Sequence, residues 1–149
     1  MEVLFIKRKN FDKLPPLVID FLNYYSVVKN KSSLTIEEYA NDLDTFFKFL
    51  KMLRGLVPVD TSFEDINITD VDIKLIGSVT LNDAYMYLIY CKDDRSNSAA
   101  TRSRKVSSLR SFYKYLSVQK KLLDENPVQE LDTPKIKKSL PKYLTLDES

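Results

Sequence analysis

Residues 95–121 read RSNSAATRSRKVSSLRSFYKYLSVQKK, and this stretch decides the fold class. Asn97 or Ser98 is suited to cap a helix N-terminus, because a short polar side chain there accepts a hydrogen bond from a free backbone N–H. Apolar side chains then recur at the three- and four-residue spacing of one helix face: Val106, Leu109, Tyr113 and Leu116. The pattern predicts one long amphipathic helix that ends near Leu122.

Charge is segregated along the chain. Residues 95–121 hold eight Lys or Arg and no Asp or Glu, whereas the whole chain has a net charge of only +2. Residues 60–94 hold eight acidic and two basic residues. The two regions either pair with each other or face different surroundings. A basic helix face rich in hydroxyl groups suits a phosphate backbone.

Composition favours helices and argues against a catalytic site. The 149 residues include two glycines, too few for the many tight turns of an all-β protein. One cysteine and no histidine make an intramolecular disulfide impossible and a zinc site improbable, and they leave no histidine base. We therefore expect no catalytic, metal or cofactor site. Without a signal-like or membrane-length apolar run, we expect a cytoplasmic protein.

Helical periodicity predicts further helices before the basic one. Thr35 with Glu38, and Thr80 with Asp83, have the spacing of a capping box, and Gly55 is suited to end a helix. The expected ranges are 15–28, 36–53, a short helix at 70–75, and 81–92. The aromatic side chains of the second helix are expected in the core rather than on a base-stacking surface: Tyr39, Phe46, Phe47 and Phe49. Cys91 is expected to be an inert packing residue.

Three pieces of sequence carry a resemblance to a known family. They are FLNYY at 21–25, SSLTIEEYANDLDTFFKFL at 32–50 and SAATRSRKVSSLRSFYKYL at 98–116, followed by DENPVQELDTPKIKKSLPKYLTLDE at 124–148. Over residues 14–149 the chain resembles the N-terminal core-binding, SAM-like domain of Xer-type tyrosine recombinases and phage integrases. The resemblance implies an all-α fold of four main helices arranged as two crossed hairpins, with an extended C-terminal linker.

The same resemblance implies a division of the chain and a role for it. Residues 1–13 would be an N-terminal arm, 14–126 the core-binding domain, and 127–149 the linker and the start of a catalytic domain that these residues do not include. In the family the two domains close around duplex DNA as a clamp, and the catalytic domain supplies the tyrosine nucleophile. The expected partners are double-stranded DNA and other recombinase subunits on it. The chain itself is expected to be catalytically inert and monomeric in isolation.

A helical wheel divides the basic helix into two faces. Apolar side chains occupy one face, and Arg110 falls near it, where it is expected to pair with a carboxylate from 60–94. Arg102, in the first turn, can reach either way. The outer face is predicted to meet phosphates and base edges, and it comprises Arg104, Ser107, Ser108, Ser111 and Tyr115, with Thr101 and Lys105 at its edge.

The resemblance also places the second helix against the DNA. Its start offers Lys31, Ser32, Ser33 and Thr35, although Thr35 serves equally well as a helix cap. A stripe of Asn41, Thr45 and Lys48 is a further candidate. The cluster Lys135, Lys137 and Lys138 suits a linker that crosses the DNA backbone, and an ordinary solvated linker explains it equally well.

Two other functions compete with DNA gripping by a recombinase. A helical protein-interaction module would use the same basic face for an acidic partner. A helix-turn-helix regulator would need a recognition helix of ordinary length, and the basic helix is too long for that.

Overall fold

The computed structural model describes residues 11–134, and within them all regular structure is helical. Short 3₁₀ turns at Phe11–Lys13 and Phe63–Asp65 accompany the helices. The helices are α1 (Pro16–Val27), α2 (Ser33–Leu53), α3 (Ile73–Gly77), α4 (Leu81–Asp93) and α5 (Ala99–Lys114), and a π turn, Tyr115–Gln119, continues α5. The prediction of an all-α fold with four main helices is confirmed, since only α3 is short.

Local capping explains where the helices begin and end. Ser32 caps α2, with its hydroxyl accepting from the Thr35 backbone N–H at 3.2 Å. The predicted capping box of Thr35 with Glu38 is therefore wrong, because α2 begins before Thr35. The predicted box at α4 is confirmed, since Thr80 and Asp83 each accept from the other's backbone N–H.

The four main helices form two hairpins, and α2 is the helix through which the two hairpins pack together. α1 pairs with α2, and α4 pairs with α5, while α2 also packs against both helices of the second hairpin. Aromatic rings fill the junction: the Phe112 centroid lies 5.5 Å from that of Phe21 and 5.9 Å from that of Phe47. Each such buried ring stabilises the fold by about 2 kcal/mol. Phe46, Phe47 and Phe49 are in the core as predicted, whereas Tyr39 is only half-buried.

Two lysines of α2 hold the acidic loop that follows it. The Lys48 ammonium lies 3.2 Å from Asp44 and 3.2 Å from the Glu64 carbonyl oxygen. Lys51 donates to the Asn67 carbonyl at 2.8 Å and to Asp70 at 2.5 Å. Lys48 is thus engaged within the fold, which corrects its prediction as a DNA contact. The ion-paired carboxylates of 60–94 in the described chain bind α2 and the turn after it, not residues 95–121.

Residues 126–134, here called the strap, return along the second hairpin. Val128 and Leu131 are 0% and 1% exposed, so both are part of the core. Asn126 donates to the Arg110 carbonyl at 3.3 Å, and Ser103 donates to the Pro134 carbonyl at 3.4 Å. The strap therefore runs antiparallel to α5, and the packed unit extends beyond residue 126, where the sequence analysis placed the start of a linker.

Candidate nucleic-acid interface

The outward stripe of α5 is rotated by about one residue from the predicted outer face. Ser107 and Lys114 are exposed, and Ser103 and Arg110 are half-exposed on the same side. This spacing of four, three and four residues is one face of a helix. Each member lies one position before a residue of the predicted face (Arg104, Ser108, Ser111 and Tyr115), and one position corresponds to about 100° of rotation.

Arg104 is directed towards α2, and about one-third of its side chain is exposed. Its guanidinium donates to Asp42, with Nε 3.0 Å from Oδ2 and Nη2 2.6 Å from Oδ1, and Nη1 lies 3.9 Å from Glu38. The hydrogen bonds to Asp42 raise the pKa of Arg104, so they favour the charged guanidinium. The Asp42 side chain is only 2% exposed and gains its countercharge from Arg104. The prediction that Arg104 lies on the open face is wrong, because this pair occupies the seam between α2 and α5.

Ser108 and Lys105 are also buried, which corrects their predicted placement on the outer face. Ser108 is 0% exposed and donates to the Lys105 carbonyl at 3.0 Å. Lys105 is 6% exposed, and its ammonium lies 3.8 Å from the Cys91 sulfur and 5.8 Å from the centre of the Tyr87 ring. Burial lowers the pKa of Lys105 because the charged form loses water without gaining a close carboxylate. Cys91 is buried beside it, in agreement with a packing role.

Arg110 lies on the open side of α5, where Arg104 was predicted to lie. Among the ion pairs of residues 11–134, none involves Arg110, so the predicted partner from 60–94 is not found. Its side chain instead lines an open groove. The two arginines have thus exchanged the roles that the helical wheel gave them: Arg104 is structural and Arg110 faces outward.

Part of the outward stripe lines a groove with a volume of about 420 Å³. α5 forms its floor, Tyr39 of α2 forms one wall and the strap forms the other. Burial raises the pKa of Tyr39, whose hydroxyl lies beside Ser111. The groove is lined by two cations, three hydroxyls and two amides, and by no carboxylate: Tyr39, Ser107, Arg110, Ser111, Lys114, Asn126 and Gln129.

A larger cavity, of about 560 Å³, lies on the acidic loop and has the opposite character. Asp44, Glu64 and Asp65 are among its lining residues, and Lys48 there is already paired. Carboxylates repel phosphate, so the smaller groove is the better match for an anionic polymer.

The remaining predicted residues lie at two helix starts. Lys31, Ser32 and Ser33 are exposed at the start of α2, and Thr35 lies one turn before Tyr39 on the same face. At the start of α5, the Thr101 hydroxyl accepts from Ser98 at 3.2 Å, and Arg102 donates to the Asn97 carbonyl at 3.4 Å. Neither segment lines the groove. Lys135, Lys137 and Lys138 lie outside the described residues.

Five groove residues were not predicted to contact DNA: Tyr39 was expected in the core, Arg110 in an ion pair, and Lys114, Asn126 and Gln129 had no assigned role. Lys114 carried a usable signal, because it lies four residues after Arg110 in the basic stretch. Asn126 and Gln129 carried none of their own. The spacing of Val128 and Leu131 was the clue that their segment packs against the domain.

Within residues 11–134, no group of acidic, Cys or His side chains is arranged to hold a metal ion. No helix in that range has both the length and the apolar character needed to cross a membrane.

Comparison with known proteins adds an independent line of evidence. Residues 18–71, from α1 through the acidic loop, match the family model described as phage integrase, N-terminal SAM-like domain. The chain is 52% identical over 149 residues to tyrosine recombinase XerC of Caldanaerobacter subterraneus subsp. tengcongensis, covering 97% of this chain and 42% of that protein. It is 35% identical over 136 residues to tyrosine recombinase XerC of Bacillus subtilis, covering 91% and 36%.

A third relative is tyrosine recombinase XerC of Leptospira interrogans, 32% identical over 87% of this chain and 35% of its own length. The chain therefore spans less than half of each of these relatives. No solved structure gives a significant match.

Proposed function

Since this chain carries the N-terminal SAM-like domain of the phage integrase and Xer-type tyrosine recombinase family, we propose that it binds double-stranded DNA through the groove on α5. In this proposal the chain grips a recombination half-site for a site-specific tyrosine recombinase. Strand exchange through a covalent phosphotyrosine would belong to a separate catalytic domain. Other recombinase subunits on the same DNA would be its protein partners.

The observation that carries the proposal is the chemistry of the groove. Arg110 and Lys114 supply positive charge, Ser107 and Ser111 supply hydroxyl donors, and no carboxylate lies among them. Cations and hydroxyls are the groups that proteins direct at phosphate oxygens.

Residues flanking the groove extend the proposed surface. The start of α2 would meet phosphates beyond the Tyr39 wall, through Lys31, Ser32, Ser33 and Thr35. The start of α5 would meet further phosphates through Thr101 and Arg102. Lys135, Lys137 and Lys138 would follow the DNA backbone between the two halves of the clamp. Both helix starts are exposed or half-exposed, so their side chains are accessible to a phosphate backbone.

A salt titration tests the proposal. Binding of the chain to a fluorescent duplex is followed by anisotropy between low and moderate salt, and the affinity should fall steeply because phosphate neutralisation releases counterions. The variant Arg110→Ala/Lys114→Ala should bind more weakly, and the magnitude of its slope of log affinity against log salt should decrease by about 0.9 per cation removed. The charge-matched control is Lys74→Ala/Lys92→Ala, which changes two exposed lysines outside the groove.

Two results would overturn the proposal. One is an affinity that does not depend on salt, or no binding at all. The other is an equal loss in the groove variant and the control. An acidic peptide added as competitor separates the rival function, because a protein-interaction module would prefer the peptide to the duplex.

A further inference from the structure

Two strap residues, Asn126 and Gln129, form one wall of the groove, and both are uncharged. Gln129 is exposed and lines the groove. Its Oε1 accepts from Asn126 Nδ2 at 3.4 Å, and the two N–H groups of its amide have no hydrogen-bond partner among residues 11–134. These donors share the groove with the Arg110 and Lys114 side chains.

Asn126 fixes the position of this wall through three hydrogen bonds. Its Nδ2 donates both to the Arg110 carbonyl at 3.3 Å and to Gln129, and its Oδ1 accepts from the Val128 backbone N–H at 3.0 Å. One side chain therefore joins the turn of α5 that carries Arg110, the start of the strap, and Gln129. Val128 and Leu131 then anchor the strap in the core.

We propose that Gln129 is a neutral DNA-binding residue that donates to a phosphodiester oxygen in the groove, and that Asn126 is the residue that positions it. This inference rests on the proposed function. Amide side chains are among the groups that donate to DNA phosphates. Because the amide is uncharged, it adds affinity and orientation without adding to the counterion term.

A consequence is that occupation of the groove is linked to docking of the strap. A duplex held by both walls binds the docked form of the strap better than a detached form, so it must stabilise docking by the same factor. The strap leads through Pro134 to the rest of the chain. DNA bound at α5 would thereby fix the point from which the following residues depart.

The direct test compares Gln129→Ala with Thr133→Ala, an equally neutral change at an exposed strap residue outside the groove. Gln129→Ala should weaken duplex binding about five-fold, as expected for one lost hydrogen bond, with an unchanged salt slope. Thr133→Ala should bind like the original chain. Equal affinity of the two variants overturns the inference. A loss seen with one duplex sequence only also overturns it, since that outcome means base reading.

Two further measurements separate positioning from general stability. In a double-mutant cycle, Asn126→Ala and Gln129→Ala should be non-additive, because Asn126 acts through Gln129. Amide hydrogen exchange at Val128 and Leu131 should slow when duplex is added, whereas amides of α3 should not change. Additive losses, or strap exchange that does not respond to DNA, contradict the inference.

The outcomes also separate this inference from the proposed function. If the unmodified chain does not bind duplex DNA, the proposed function itself fails. If it binds, and Arg110→Ala/Lys114→Ala weakens binding while Gln129→Ala does not, only the role of the strap is refuted.

Discussion

Arg104 of α5 donates two hydrogen bonds to Asp42 of α2, and this pair joins the two hairpins. Asp42 is almost fully buried, whereas Arg104 is about one-third exposed, with side-chain values of 2% and 34%. The carboxylate depends on the guanidinium, since no other cation in the described chain pairs with Asp42 within 4 Å.

Arg104→Ala should therefore destabilise the fold strongly. Removing one partner of a buried pair leaves an uncompensated charge, which costs about 3 kcal/mol, the lower end of the usual range because Arg104 is partly hydrated. Urea unfolding followed by circular dichroism measures the change. Adding Asp42→Asn should recover part of the loss, because the amide carries no charge. A loss below about 1 kcal/mol would contradict this account.

Lys105→Met should stabilise the protein at neutral pH, by about 1 kcal/mol, because a buried ammonium without a close carboxylate is replaced by an apolar chain of similar length. Its affinity for duplex DNA should not change, since Lys105 does not reach the surface. A weaker affinity for duplex DNA in a fully folded variant would contradict this account and indicate that Lys105 contacts DNA.

The advantage of Lys105→Met should depend on pH. The pKa of Lys105 is lowered in the folded state from its ordinary 10.5, so the unfolded chain binds more protons between the two values. The original protein therefore gains stability as the pH rises towards 10.5, and the variant lacks this gain. The difference in unfolding free energy should shrink with rising pH. A difference that is constant from pH 7 to 10.5 would argue against a buried charge.

Ser107→Asp should weaken duplex binding about ten-fold without unfolding the domain. Ser107 is exposed on the groove floor, so a carboxylate there repels phosphate and offsets one of the two groove cations. Electrophoretic mobility shift gives the affinity. The matched control is Asn82→Asp on α4, where the same charge is added at an exposed position outside the groove. A similar loss in both variants would indicate a general charge effect.

Gly55→Ala should reduce stability by about 1 kcal/mol. Gly55 follows the end of α2 with φ of +68°, a left-handed conformation that an L side chain adopts with strain. An added Cβ meets no atom within 4 Å, so the cost comes from the backbone and not from a clash. Gly55→Asn should lose less, because Asn tolerates this region better. Thermal unfolding ranks the three proteins, and equal melting temperatures would refute the account.

The sequence was sufficient to predict the helices because the signals that start and end a helix are local. The Thr80–Asp83 box, the Ser98 cap and Gly55 each act within one turn, and the apolar spacing of Val106 and Leu109 identifies the buried side of α5. These signals do not depend on what packs against the helix.

The exposed face of α5 was predicted about one residue out of position because a helical wheel assumes that a helix has one buried side. α5 instead has α2, α4 and the strap around it, so only a narrow stripe stays open. Ser108 and Arg104 look like surface residues in the sequence. Ser108 is instead fully buried, with its hydroxyl bonded to the Lys105 carbonyl, and Arg104 neutralises Asp42. Asp42 is 62 positions away in sequence, and no local pattern on α5 reveals it.

The antiparallel course of the strap also determines how the domain would respond to mechanical load. A force that lifts Pro134 away from α5 acts first on the contact with Ser103, then on Leu131, and last on Val128 and Asn126. Contacts loaded in sequence open one at a time, as in unzipping, and resist less force than contacts sheared together. Tension from the following part of the protein would thus be relieved at the strap before it reached the helices beneath.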